Sequence, residues 1–168
     1  MAYRAPVRIA RTHAHDGFDC GEPALNDWLA RYALPSDAAG SSRVFVTTEN
    51  GTDVVGYYAL AAAEVEPDAA TARLAKGQPR NRPVPVALLA RLAVDREHQG
   101  RGVGASLLRH AMVQSIAAAG HVGMRAILVH AKDGKARAWY ERWGFERSPT
   151  DPLHLVLLMK DIRATLSP

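Results

Sequence analysis

The sequence is poor in cysteine. Cys20 is the only thiol in 168 residues, so an internal disulfide is excluded, and with it a small secreted scaffold held by cross-links. Cys20 itself reads as a small buried residue rather than a nucleophile. No apolar run approaches the roughly 18 residues that a membrane span needs. The opening residues, Met1-Ala-Tyr-Arg-Ala-Pro6, have none of the apolar core of a secretory leader. The histidines lack metal-ligand spacing and there is no cysteine pair, which predicts no metal site. Internal repeats and low-complexity segments are absent. These shortages together predict a cytoplasmic protein without membrane association.

Hydrophobic residues make up 48% and charged residues 23%, the balance of a soluble globular chain. The length suits a single domain over residues 1–168 with a core of its own. The formal charge is +4 and the isoelectric point near 9.5, a weak pointer to an anionic partner. The distribution of the charge says more. Arg73, Lys76, Arg80 and Arg82 fall in a stretch free of Asp and Glu and cut by Gly77, Pro79, Pro83 and Pro85, where a long regular element is disfavoured. It reads either as a solvated loop or as a basic rim for a phosphate-rich substrate.

Periodicity predicts an α/β chain. Residues 24–33 read as a short helix with Pro23 at its first position and Leu25, Trp28, Leu29 and Tyr32 on one face. Residues 44–48 and 54–62 flank Asn50-Gly51 and read as a hairpin. Residues 64–74 hold a helical turn or two. The run 86–94, interrupted by Arg91, suits a strand buried on both faces. Val103, Leu107, Leu108, Ala111, Met112 and Ile116 then fall at helical spacing up to Gly120. A strand over 124–131, a helix over 135–143 closed by Gly144, and a strand over 153–159 complete the order. Helices packed on a central mixed sheet follow.

The stretch Gln99-Gly100-Arg101-Gly102-Val103-Gly104 lies between a buried strand and an amphipathic helix. Glycines there permit positive φ and let a ligand touch the main chain. The first helical turn offers unpaired N–H groups and the positive end of its dipole. The combination suits a pyrophosphate, and Arg101 adds a mobile positive charge. A P-loop would end in Gly-Lys-Ser or Gly-Lys-Thr, whereas this one ends in Gly104-Ala105-Ser106. A dinucleotide fold would carry an acidic residue about 20 positions on, and residues 120–125 offer none. Acyl-CoA, whose 3′-phospho-ADP carries a pyrophosphate, is the remaining class.

The run Leu92-Ala-Val-Asp-Arg-Glu-His-Gln-Gly-Arg-Gly-Val-Gly-Ala-Ser-Leu-Leu resembles the acyl-CoA signature of the GNAT N-acetyltransferases: Arg or Gln, two residues, Gly, one residue, then Gly or Ala. Gln99, Gly102 and Gly104 meet it. Ala138-Trp-Tyr-Glu-Arg-Trp-Gly-Phe145 is similar to the family's late helix-and-turn motif, in the family's order. The resemblance implies a GNAT fold, with a mixed central sheet splayed between two parallel strands and flanked by helices. It implies acetyl-CoA lying across the splay between residues 92–94 and 127–130, held by Leu92, Ala93, Val94, Gln99, Gly100, Arg101, Gly102, Val103, Gly104 and Ala105. An N–H near Val94 would polarise the thioester carbonyl, a contact typically worth about 3 kcal/mol.

Tyr140 would stand near the thioester sulfur as general acid for the departing thiolate. The alternative is a core aromatic beside Trp139 and Trp143, but 139 and 143 share a helix face that 140 does not. No residue stands out as general base: His98, His110, His121 and His130 are scattered and read as structural or solvated. An α-amine with a pKa near 7.7–8.0 needs little help from a base, unlike a lysine near 10.4, and the α-amine of an aminoacyl ester needs less still. Many family members carry an Asn seven residues before the tyrosine; Asp133 stands there, and a carboxylate cannot donate as the amide does.

Phe18-Asp-Cys-Gly-Glu-Pro-Ala-Leu-Asn-Asp-Trp-Leu and Arg80-Asn-Arg-Pro-Val-Pro-Val-Ala-Leu-Leu-Ala-Arg-Leu-Ala-Val-Asp resemble stretches of the acetyltransferase toxins of bacterial toxin–antitoxin pairs. That resemblance implies acetylation of the α-amine of aminoacyl-tRNA, a ribbon-helix-helix antitoxin as partner, and a homodimer. Arg73, Lys76, Arg80 and Arg82 would then grip tRNA phosphates. The rivals are an acetyltransferase of a small amine or protein N-terminus, and a silent interaction module on the same fold.

Overall fold

The computed structural model describes residues 3–167. The elements are β1 (Val7–Arg8), α1 (Pro23–Arg31), α2 (Ala33–Ala39), β2 (Arg43–Thr48), β3 (Val54–Val65), α3 (Ala72–Ala75), β4 (Val84–Val94), α4 (Val103–Ala119), β5 (Ala126–His130), α5 (Gly134–Glu141), β6 (Glu146–Arg147), β7 (His154–Leu158) and α6 (Met159–Leu166). Seven strands form a mixed sheet in the order β1-β2-β3-β4-β5-β7-β6. The expected α/β class and mixed sheet are found. No described helix is long and apolar enough to cross a membrane. The chain forms two compact units, Met1–Ala61 with Ala90–Ala111, and Ala62–Leu89 with Met112–Pro168.

In the first unit the expected N-terminal helix is two helices. Pro35 has no N–H to give and its ring would collide with the carbonyl of Arg31, so α1 cannot run on. It stops at Arg31, and α2 begins at Ala33 and closes at Gly40, φ +78°. Leu29 is buried, and Leu25 and Trp28 pack on the same core as Phe18, Val44, Val46 and Tyr57. Tyr32 is 53% exposed, off that face. The Asn-Gly hairpin is present. The Asn50 side-chain oxygen accepts from the N–H groups of Thr52 and Asp53 at 2.9 and 2.8 Å, and Gly51 takes φ +86°. Arg91, the one charge in the β4 run, lies over the Trp28 ring, 4.2 Å from its centroid, and Trp28 stacks on Tyr57. The cation is thereby accommodated on an apolar strand.

Gly56 in β3 decides how α4 lies. A Cβ there would come 2.9 Å from Leu107 Cδ1, 3.1 Å from Val103 Cγ1 and 3.3 Å from the Ala93 carbonyl oxygen. The first turns of α4 therefore rest directly on the β3 backbone, which fixes the height of the glycine-rich loop that leads into them.

In the second unit β4 and β5 are parallel, paired over Ala87–Leu89 with Ile127–Val129. The paired register ends there, while β4 runs on to Val94. β5 pairs antiparallel with β7 over its whole length, and β6 adds a short edge. Val65, Leu74, Val84, Val86, Ala126, Leu128, Val156 and Leu158 form the core. The two-residue strands β1 and β6, and α6, have no counterpart in the sequence-based expectation. The stretch expected to be helical from 64 to 74 opens as the end of β3 and only then forms two short turns, Pro67–Ala69 and α3.

Candidate active site

The loop between β4 and α4 is built as its glycines predict. Gly100 and Gly102 have φ +76° and +83°, and a Cβ on either would meet nothing within 4 Å. They are needed for their backbone conformation, and the space over them is open to a ligand. Val103 is buried against β3, so of this residue only the main chain is available to a cofactor. No acidic residue lies in the first turn of α4, which leaves the positive end of the helix uncompensated there. Arg101 is exposed.

Gln99 behaves differently from expectation. Its side-chain amide donates to the Val94 carbonyl at 2.9 Å and to the Cys20 carbonyl at 3.3 Å. The amide is spent on the protein, so Gln99 shapes the loop rather than reaching the cofactor with its side chain. Its partner segment is equally tied. Asp95, only 8% exposed, accepts from the N–H groups of Asp19 and Glu97 at 2.9 and 3.0 Å. The N–H groups of Asp95 and Arg96 donate to the Val55 and Asp19 carbonyls. Asp19 accepts from the Gly21 N–H and the Asn26 amide, which together hold its carboxyl below the usual range, and Asn26 in turn accepts from the Cys20 N–H. The stretch Phe18–Asn26, notable in sequence only for a subfamily resemblance, is thus the buttress of the glycine-rich loop. Two Asx-type acceptors, Asp19 and Asn26, were its readable signal; what they would hold was not readable.

Tyr140 lies on α5, in edge contact with Trp139 and Phe145. Burial pushes its phenol up to about 12, and its hydroxyl has no hydrogen-bond partner among the described residues. The residue is half-buried, so the hydroxyl lies within reach of solvent or of a substrate. Full proton transfer to a thiolate of ordinary basicity, near 8.5, would run uphill by about 5 kcal/mol. A hydrogen bond donated to a thiolate that is itself desolvated avoids most of that cost. Asp133, where the family pattern has Asn, caps α5: its carboxylate accepts from the Ala136 N–H at 2.8 Å.

The histidines have other partners. His98 shares a hydrogen bond with the Tyr3 hydroxyl and His110 with that of Tyr58. His130 stacks on His154 with centroids 3.9 Å apart, and burial with the neighbouring imidazole holds its pKa below the usual value. His121 is exposed.

The basic stretch does not act as one patch. The stretch from Arg73 to Pro85 has no acid in sequence, yet in space the Arg73 guanidinium bonds Asp161 at 2.8 Å and Glu146 at 2.7 Å. The expectation that Arg73 is free to grip phosphate is corrected by those two carboxylates, which arrive from 73 and 88 residues away. Arg80 and Arg82 are exposed on either side of Asn81, the only described non-glycine residue with positive φ, +61°. Asn tolerates that conformation. These residues line a hollow of about 240 Å³ with Gln78 and Pro79.

Comparisons with known proteins place these features. Residues 40–147 match the acetyltransferase (GNAT) domain family. The chain is 51% identical over 164 residues to a tRNA-acetylating toxin of Mycobacterium tuberculosis, covering 98% of this chain and 97% of that one. Its fold is similar to that of AtaT complexed with acetyl-methionyl-tRNAfMet, with TM-score 0.89, 27% identity and coverage of 99% and 100%. It is also similar to a mutant AtaT toxin bound to the C-terminus of the antitoxin AtaR and acetyl-CoA, with TM-score 0.83, 26% identity and full coverage of both chains, 100%.

Proposed function

Since the chain belongs to the GNAT acetyltransferase family and takes its acetyl group from acetyl-CoA, we propose that the acceptor is the α-amine of an aminoacyl-tRNA and that the product blocks translation. The observation that carries this is the 51% identity with a tRNA-acetylating toxin across 98% of the chain. The intact glycine-rich loop and the unpartnered Tyr140 hydroxyl favour an enzyme over a silent module.

In this reading the pyrophosphate of acetyl-CoA lies on the main chain of residues 100–105, Leu92–Val94 bond the pantetheine, and Tyr140 donates to the departing thiolate. The amine attacks the thioester carbonyl, the tetrahedral intermediate expels CoA, and the amine's extra proton passes to solvent. The missing general base is accounted for by the acceptor, since an α-amine with a pKa near 7.7–8.0, lower still in an aminoacyl ester, already has a substantial neutral fraction near pH 8. Arg80 and Arg82, with Lys76, supply phosphate contacts. The protein works as one catalytic domain over 1–168, in the cytoplasm, as a homodimer restrained by a ribbon-helix-helix antitoxin.

Incubation with labelled acetyl-CoA and total aminoacyl-tRNA, followed by mass analysis of the aminoacyl-nucleotide, should yield N-acetyl-aminoacyl adducts. Label transfer to a small amine or protein N-terminus, with aminoacyl-tRNA ignored, would overturn the acceptor and leave the acetyltransferase in place.

A further inference from the structure

A second hollow, of about 310 Å³, is lined by Arg73, Lys76, Arg125, Lys160 and Arg163. No acidic residue lines it. The carboxylates nearest in the bonding network, Asp161 and Glu146, are both taken by Arg73. Five cations against two acids leave three positive charges in excess. Arg125 is held in place, its guanidinium donating to the Leu74 and Lys76 carbonyls at 3.1 and 2.9 Å. Lys76, Lys160 and Arg163 are exposed; Lys76 and Arg163 have no ion-pair partner among the described residues, and Lys160 has only the charge of the neighbouring Asp161, which Arg73 already binds. The hollow also includes the start of α6, where the Met159 N–H donates to the Arg125 carbonyl and Asp161 lies in the first turn, so the side-chain cations and not the helix end supply the positive field.

We propose that this hollow is a second phosphate site, which holds the sugar–phosphate backbone of the RNA substrate away from the acetylated end. The inference rests on the aminoacyl-tRNA reading above and adds Arg125, Lys160 and Arg163 to the residues that meet the RNA. The excess charge and the volume suit a short stretch of phosphodiester rather than one carboxylate. The rest of the lining is Met124, Leu158 and Met159, with no aromatic ring for a base to stack on. The contact is therefore to backbone and independent of sequence. Arg73 acts as a strut: by holding Asp161 and Glu146 it keeps their charge paired beside the site.

The test is a full-length Lys160→Ala/Arg163→Ala protein, both side chains being exposed and outside the core. Its substrates are total aminoacyl-tRNA across a salt series and an aminoacylated dinucleotide that ends in adenosine and has no stem. The expected result is a KM for aminoacyl-tRNA raised about tenfold, a log–log salt slope reduced by roughly one to two, and a similar effect on every tRNA acetylated. Turnover of the dinucleotide should stay at the wild-type level, and Lys160→Arg/Arg163→Lys should restore the KM. An unchanged KM and salt slope for the alanine variant overturn the site while the acceptor stands. Failure of the wild-type protein on both RNA substrates overturns the acceptor reading and the site with it. Saturable stabilisation by inorganic phosphate that the variant loses, with aminoacyl-tRNA kinetics unmoved, assigns the hollow to a free phosphate compound and also overturns the inference.

Discussion

In the proposed mechanism a single hydroxyl, that of Tyr140, would carry the acid role. Tyr140→Phe leaves the edge contacts with Trp139 and Phe145, so acetyl-CoA affinity should hold within a few-fold while turnover falls roughly 10²–10⁴-fold, the span of a positioned acid. Stopped-flow binding and steady-state rates separate the two, and an undiminished turnover would return the tyrosine to a packing role. The pH dependence follows from its surroundings. Burial raises the phenol to about 12, above the free value near 10. The neutral form is therefore favoured in the folded protein, and that preference is lost only as pH climbs from 10 through 12. Turnover should rise with pH as the acceptor amine loses its proton, to a plateau above about 8, and Tyr140 should impose no fall below pH 10. A falling limb centred near 8 or 9 would mean that another acid does the work.

At the scale of elements, the junction of β4, the loop and α4 is where local backbone needs meet the proposed cofactor site. Gly102 requires φ +83° and faces open space. Gly102→Ala should cost about 1–2 kcal/mol in backbone strain yet keep much of the acetyl-CoA binding, whereas Gly102→Glu should place a carboxylate in the proposed pyrophosphate position and abolish it. Thermal shifts with and without acetyl-CoA compare the pair, and equal stabilisation of the Glu variant and the wild type would remove the loop from the cofactor site. Gly56 acts at one remove. Gly56→Val would drive methyls into Leu107, Val103 and the Ala93 carbonyl. Such overpacking costs about 1–3 kcal/mol, or roughly 3–10 °C in Tm at this size. Because the displaced element is the start of α4, acetyl-CoA affinity should drop as well. A valine variant with unaltered Tm and affinity would show that α4 does not depend on this close approach.

With aminoacyl-tRNA as the proposed acceptor, the whole molecule would meet its substrate as a polyelectrolyte. A net charge of +4 favours encounter with RNA and makes it salt-dependent. Arg80 and Arg82 stand exposed around Asn81, far from any role in the core. Arg80→Ala/Arg82→Ala should raise the KM for aminoacyl-tRNA and reduce the salt slope by roughly one to two, with little change in kcat. Normal kinetics at physiological salt would make the segment a solvated loop. Arg73→Ala is a different experiment: it frees Asp161 and Glu146, so any loss of RNA affinity would report two unmasked carboxylates as well as a missing cation.

Much of this protein is determined by local sequence. Gly100 and Gly102, between an apolar strand and a helix, fix a turn at positive φ whatever lies around them, because that conformation is a property of the backbone there. The Asn50-Gly51 hairpin, the Gly120 and Gly144 helix stops and the position of Tyr140 on α5 were readable for the same reason. What only the tertiary structure decided depends on contacts between distant residues. Asp161 and Glu146 neutralise Arg73 across 88 and 73 positions, so a stretch without acids in sequence is not one in space. Gln99 turns its amide to Cys20 and Val94, a choice set by a buttress that begins 80 residues earlier at Asp19. Arg125, Lys160 and Arg163 meet around one hollow only because β5, β7 and α6 bring them there. Spacing along a chain constrains neighbours within a few residues, and it carries no information about which charge will be brought to rest against another.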